Sequence, residues 1–408
     1  MLDEIPHEVD ALIGRAWKAG ATDILLTVGS APFFRVDGTV MRMPGQPVLG
    51  PHDTLSMARG LVGRRHEPDL AAGTEVDFSF SWRGAARVRG NAYRQRGEVT
   101  VALRLIPRLI PSFDDIGLPD AARRLAERSQ GFVLVTGPTG SGKSTTLASM
   151  IGFINQQKPV HILTIEDPIE FVHDHASAAM SQREVGSDTA SFSDALRAAM
   201  REDPDVILVG EMRDLESIRF ALTLAETGHL VFSSLHTNDT AQAIDRMVDV
   251  FPAEHQQQIR VQLAGTLAGV IHQRLLPRVG GGMLAAFEIM IATPAIRNLI
   301  KEGRTDQLRN QVMTGQRDGM QTLEAAMTEL VAKGRVEFHE AKARAGFPKE
   351  IPARVIDPTP PPVRAEPWLE QATGSHVGDG YGDGYGGGAS QSGGWEVDPR
   401  EGSRRSRR

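Results

Sequence analysis

Between residues 119 and 345, continuous apolar runs alternate with stretches whose apolar residues recur every three or four positions. GFVLVTG precedes such a stretch at 144–156, HILTIED one at 191–202, DVILVGE one at 214–226 and HLVFSSLH one at 239–250. Short apolar strands separated by amphipathic helices predict a parallel sheet covered on both faces. In SFSDALRAAMRED, Phe192, Ala195, Leu196 and Ala199 share one helical face. Ser191 is placed to cap the first turn, and Asp203-Pro204 ends the pattern. The next helix is expected to start near Asp214 and to stop at Gly228.

Upstream the period shortens. A helical pattern at Val9, Leu12, Ile13, Ala16 and Trp17 is closed by Gly20. Strand-like pieces follow: DILLTV, PFFRVDG, VDFSFSW, ARVRGNAYRQR and VTVALRLI. Residues 1–110 therefore read as a small α+β domain. IPRLIPSFDDIGLP carries three prolines in fourteen residues, so 111–118 reads as a linker with an extended backbone. The α/β domain is assigned to 119–350. From 351 onward Pro and Gly are dense and apolar residues sparse, which predicts a disordered tail that ends in GSRRSRR.

Charge narrows the functional classes. With 45 Lys and Arg against 51 Asp and Glu, the net charge is -6, which argues against general nucleic-acid binding. The absence of cysteine excludes a disulfide framework, a Cys-ligated zinc site and a Cys nucleophile. No apolar run approaches the ~18 residues of a membrane span, and MLDEIPHEVD lacks the pattern of a secretory signal. The expectation is a cytoplasmic protein that reaches a membrane only through a partner.

The most specific local signal is GPTGSGKST at 137–145, directly after an apolar strand and before a helix. Gly137, Gly140 and Gly142 let the backbone wrap closely around phosphate. Pro138, Thr139, Ser141 and Thr145 complete the loop. The helix N-terminus adds its positive end. Lys143 places a charge beside the β- and γ-phosphates, and Ser144 offers a hydroxyl to Mg²⁺. ATP with Mg²⁺ is the expected ligand.

Two further strands end in acids. Glu166, Asp167 and Glu170 follow HILTI, and Glu211 follows DVILV. Ligands in open parallel sheets bind beyond the C-terminal strand ends, so these acids are expected near the phosphate loop. One would hold Mg²⁺ and one would orient or deprotonate water. Gly210 stands where a Mg²⁺-site Asp is common, which leaves that work to Glu211. His229 and His236 flank the strand LVFSSL; His229 is either a structural hydrogen bonder or a γ-phosphate sensor. Arg87 and Arg89 alternate onto one strand face, with Arg94, Arg96 and Arg104 close in sequence. They form either a solvated basic face or a set of arginine fingers.

Together these segments resemble the PilT family of type IV pilus motors, within the hexameric secretion-superfamily ATPases. The resemblance spans roughly 11–345. It rests on RVDG at 35–38, GPTGSGKST, TIEDPIEFVH at 164–173, REDPDVILVGEMRD at 201–214, AETGHLVFSSLHTND at 225–239, RMVDVFP at 246–252 and AIRNLI at 295–300. It implies a PAS-like N-terminal domain joined to a RecA-like ATPase domain, with six copies in a ring. It implies Glu170 as general base, Glu211 as the Walker B glutamate and His229 in the family's histidine motif. Arg89, Arg96 and Arg104 match the arginines that approach ATP across a boundary.

AIRNLI resembles a motif associated with retraction, so Ala295, Ile296, Arg297, Asn298, Leu299 and Ile300 are expected to couple hydrolysis to movement. In TPAIRNLIKEG, Ile296, Leu299 and Ile300 share the apolar face, while Arg297 and Asn298 point elsewhere. The implied activity is pilin disassembly, pilus retraction and twitching motility, through an inner-membrane platform protein and alongside a paralogous pilus ATPase. Rival readings are a PilU-like accessory ATPase, a nucleotide-gated adaptor of the same machine, or a DNA translocase on the same fold. DILL at 23–26 departs from the family's DLHL. The missing cysteines speak against assembly ATPases with a four-cysteine insert.

Overall fold

The computed structural model describes residues 5–353, apart from Asp37 and Arg213. Its first part contains α1 (His7–Lys18), β1 (Asp23–Leu26), β2 (Phe33–Val36), β3 (Thr39–Arg42), α2 (Pro51–Ala72), β4 (Val76–Trp82), β5 (Ala86–Gln95) and β6 (Glu98–Pro107). The strands form one antiparallel sheet in the order β3-β2-β1-β6-β5-β4. Val9, Leu12 and Ile13 of α1 and Leu61 and Leu70 of α2 share a buried cluster with Ile24, Val88 and Val101 of the sheet. α2 was not expected; it breaks at Gly63, and its apolar residues follow no single helical stripe.

The second part contains α3 (Phe113–Ile116), α4 (Asp120–Ala126), β7 (Gly131–Thr136), α5 (Lys143–Gln157), β8 (His161–Glu166), β9 (Ala179–Glu184), α6 (Phe192–Ala199), β10 (Val206–Val209), α7 (Leu215–Glu226), β11 (Leu230–Leu235), α8 (Thr240–Asp249) and α9 (Ala253–Thr266). It continues with β12 (Leu267–Pro277), β13 (Met283–Ile291), α10 (Pro294–Glu302), α11 (Leu308–Thr314), α12 (Leu323–Ala332) and α13 (Phe338–Arg344). The sheet order is β13-β12-β7-β11-β10-β8-β9, parallel except where β12 turns back into β13.

The α/β class is as expected. β7, β10 and β11 are buried at every position, and separate apolar clusters line the two faces of their sheet. Asp214 caps α7 by accepting from the Ser217 N–H, and Ser191 caps α6 by accepting from Asp194.

Two expected boundaries are corrected. The stretch 111–118 is not wholly extended. Ser112 and Asp115 form a capping box that starts α3, and Phe113 is buried with its ring 4.9 Å from that of Phe153. The packed body also runs past 350. Ile351 is buried against Leu323, Met327 and Val331, and Glu350 accepts from Arg309 at 2.7 Å. The remainder of the expected tail, 354–408, lies outside the described residues.

Candidate active site

Strand β7 runs directly into the glycine loop, and α5 begins at Lys143. Gly137 has φ of +148°, and a Cβ there would lie 2.5 Å from both the Gln273 carbonyl oxygen and Ser141 Oγ. Only glycine permits that turn. Lys143 Nζ donates to the carbonyls of Gly137 at 3.0 Å and Pro138 at 3.2 Å. Burial lowers the Lys143 pKa, while the carboxylates of Glu211 and Glu170 pull it back up. The loop lysine and both expected acids therefore share one electrostatic neighbourhood.

Glu211 follows β10 by two residues. A Cβ at Gly210 would lie 3.4 Å from Glu166 Cα and the Ile165 carbonyl oxygen, at ordinary contact distance. Ser234 Oγ donates to the Gly210 carbonyl at 2.6 Å and fixes this turn from the next strand.

The histidine assignment is corrected. Parallel pairing sets Leu230 opposite Gly131 and Leu235 opposite Thr136. His229 thus lies at the end of β11 away from the loop, roughly 20 Å off at ordinary strand rise. Its Nδ1 faces the Leu224 carbonyl at 2.8 Å and Thr227 Oγ1 at 3.1 Å, a structural role. His236 is the one at the site. Its Nδ1 is 3.4 Å from Lys143 Nζ and its Nε2 is 3.4 Å from Glu211 Oε1. The rule that placed Glu211, that a ligand-facing residue follows the C-terminal strand end, selects His236 as well.

Other contributors were missed. Gln273, buried on β12, donates from Nε2 to the Ser141 carbonyl at 2.6 Å and braces the loop from below. Beside it His272 is held neutral: burial, then Arg274 and Lys143, lower its pKa to about 3. Nothing in the local pattern of β12 marks either residue.

Of the three arginines, Arg89 reaches the expected general base, with Nη1 2.9 Å from Glu170 Oε1. Arg104 lies opposite Arg89 on β6 and donates to Asp23 at 2.9 Å. Arg96 sits exposed in the turn between β5 and β6 with φ of +54°.

Ser144 is exposed in the first turn of α5. Its hydroxyl and the Glu211 carboxylate are hard oxygen donors of the kind Mg²⁺ takes together with nucleotide phosphates. The donor set fits that ion. Among the described residues no group of three or more His, Cys, Asp or Glu could hold a metal by itself.

Glu166 lies beneath Glu170. Burial pushes its carboxyl up to about 7, against hydrogen bonds from Thr164, the Glu170 N–H and Gln182. Between pH 4.5 and 7 the folded state then holds a proton that the unfolded state lacks. Stability is lost as pH rises through that window, by about 3 kcal/mol in all. Glu166→Gln should therefore raise Tm at pH 8 and change it little at pH 4.5. Equal shifts at both pH values would show that Glu166 ionises normally.

Helix α10 begins with Thr293 capping the Ile296 N–H, and Ile296, Leu299 and Ile300 are buried as expected. Arg297 does not point away. Its guanidinium donates to the carbonyls of Ala292 (3.0 Å), Gly265 (2.8 Å), Leu267 (2.7 Å) and Ala264. It ties α10 to the C-terminus of α9, a place where a cation is favourable. Asn298 is exposed and bonds only one turn ahead, to Glu302 at 2.8 Å. Arg297→Ala should cost about 2–4 kcal/mol through four abandoned carbonyls, whereas Asn298→Ala should stay within about 0.5 kcal/mol. Thermal or denaturant unfolding of the two variants checks this; equal stabilities would refute the tie.

A family model described as type II/IV secretion system protein matches residues 5–343. The chain belongs to that family. Within it the chain is of the PilT type. It is 47% identical over 344 residues to the type IV pilus retraction ATPase PilT of Pseudomonas aeruginosa, covering 84% of this chain and 100% of that protein. The type IV pilus ATPase PilU of the same organism is 37% identical over 345 residues, 84% of this chain and 90% of its own. A crystal structure of the pilus retraction motor PilT with bound ADP superposes with a TM-score of 0.76 at 48% identity, covering 84% of this chain and 98% of that one. PilT-type members share the nucleotide-binding fold described above.

Proposed function

We propose that this chain is a Mg²⁺-dependent ring ATPase that drives retraction of a type IV pilus by disassembling pilin, and so supports twitching motility. The observation that carries this reading is 47% identity across the full length of a named pilus retraction ATPase, over a site whose loop lysine lies in the electrostatic field of two carboxylates, Glu211 and Glu170. Backbone N–H groups of 137–145 and Lys143 would hold the phosphates. Bound Mg²⁺, held by Ser144 and Glu211, would offset charge on the β- and γ-phosphates. Glu170 takes the proton of the attacking water while the bond from the γ-phosphorus to the ADP oxygen breaks. Arg89 lies on Glu170; leaving that carboxylate for a bound phosphate would free the base and would draw the N-terminal sheet toward the site.

Six copies would form the ring, acting at the cytoplasmic face of the inner membrane through a platform protein, with a paralogous ATPase as a further partner. None of the described helices is long and apolar enough to cross a membrane. The polar face of α10 would carry the stroke. Identity is higher to PilT than to PilU, which favours the principal motor over an accessory paralogue. Deleting the gene in its host should leave abundant surface pili and abolish twitching. Loss of surface pili would instead indicate an assembly ATPase, and steady-state turnover near zero in the purified ring would indicate a nucleotide-gated adaptor.

A further inference from the structure

Residues 167–173, between β8 and β9, carry Glu170, and side chains from the two strands hold their backbone. The Glu170 N–H donates to Glu166 Oε2 at 3.5 Å. Gln182 accepts from the His173 N–H at 2.7 Å and donates to the Phe171 carbonyl at 2.9 Å. The Ile169 N–H, one residue before the base, donates to Glu184 Oε2 at 3.1 Å. The same Glu184 oxygen accepts from Arg87 Nη2 at 2.8 Å. Arg87 is braced within its own sheet by Ser79 Oγ at 2.8 Å.

The N-terminal sheet therefore grips this loop at two points two residues apart on β5. Arg89 touches the reacting carboxylate itself. Arg87 touches it through Glu184 and the Ile169 backbone. Arg89 must leave Glu170 for the base to work, but the Arg87–Glu184 contact can persist through turnover. Both its side chains are largely buried, at 20% and 15% exposure, where an ion pair is screened less than at an open surface.

We propose that Glu184 is a positioning residue for hydrolysis: by joining the Ile169 N–H to Arg87, it fixes the loop that carries Glu170 and makes the base's placement depend on the N-terminal sheet. This rests on the reading of Glu170 as general base. A displacement of about 1 Å at a reacting group can cost on the order of 10²-fold in rate, so a loop contact one residue from the base is enough to matter.

The test measures kcat, ATP KM and nucleotide affinity in the assembled full-length protein for Glu184→Ala, Glu184→Gln and Arg87→Ala. Glu184→Ala should lower kcat about 10–100-fold, with affinity changed less than about threefold. Glu184→Gln keeps an acceptor for Ile169 and should recover most of that loss. Arg87→Ala should lower kcat about 3–10-fold by freeing the outer end of the contact. In single-turnover measurements, Glu184→Ala added to Glu170→Gln should cause little further loss, because there is no longer a base to position. Multiplicative losses in the two backgrounds, or a raised KM with kcat intact, would overturn the proposal. If Glu184→Ala fails to fold, Glu184→Gln and Arg87→Ala decide it: wild-type kcat in Arg87→Ala would overturn it. A Glu170→Gln variant with wild-type turnover would instead remove the general-base reading, a different result from any of these.

Discussion

Lys143→Ala should abolish measurable ATP hydrolysis while the protein folds and assembles. The ammonium is buried at the start of α5 and resting on the carbonyls of Gly137 and Pro138. Those carbonyls leave the charge at the mouth of the loop, where a phosphate oxygen would replace them. A charge-assisted hydrogen bond is worth about 1.5–3 kcal/mol, so nucleotide affinity should fall about 10–100-fold. Turnover should fall further, because phosphoryl transfer draws nearly all its acceleration from positioning and charge stabilisation. Removing a buried charge also removes its desolvation cost, so Tm should hold even though Glu211 and Glu170 lose a counter-charge. Binding of a fluorescent ATP analogue and a phosphate-release assay check the two losses separately. Near wild-type hydrolysis would mean that the loop does not hold the reacting phosphates.

Local pattern carried much of this architecture. The apolar runs that became β7, β8, β10 and β11 are continuous because both their faces are covered, and α6 and α7 between them have one-sided stripes and side-chain caps, whereas α5 starts from the glycine loop without a side-chain cap. β12 and β13 were not foreseen. LAGVIHQRLLP is apolar at both ends but broken by His272, Gln273 and Arg274, it shows no alternation, and periodicity alone does not separate a buried strand from a buried helix there. β9, AMSQRE, is a polar edge strand with no signal of its own. In 111–118 the prolines outweighed a readable Ser112-x-x-Asp115 capping box. Helical spacing correctly found the buried face of α10, yet it says nothing about where a long side chain off that face will reach. Arg297 finds the carbonyls of α9, which is a fact of tertiary placement. The links from β5 to the acid loop have the same character: Arg87 and Glu184 are 97 residues apart, and no local rule joins them.

Glu170→Gln and Glu211→Gln should both fail to turn over ATP normally, for different reasons. Glu170 lies past β8 with its carboxylate on Arg89 and its backbone fixed by Glu166. Amide replacement keeps shape and hydrogen bonding but cannot take a proton. If Glu170 is the base, kcat should fall about 10²–10⁴-fold, with ATP and Mg²⁺ affinities near wild type. Gln at 170 also removes the charge that Arg89 pairs with, so the arginine becomes free to meet a phosphate and bound ATP should be retained. Glu211 follows β10 with His236 Nε2 at 3.4 Å and Lys143 within electrostatic reach. Its loss removes an anionic oxygen from the proposed Mg²⁺ shell, so the Mg²⁺ concentration for half-maximal activity should rise. Excess Mg²⁺ should then restore part of the rate in Glu211→Gln and none in Glu170→Gln. The measurement is a Mg²⁺ titration of steady-state hydrolysis at saturating ATP for both variants. Superimposable titrations with equal losses would withdraw the division of labour between the two acids and leave them as one electrostatic unit around Lys143.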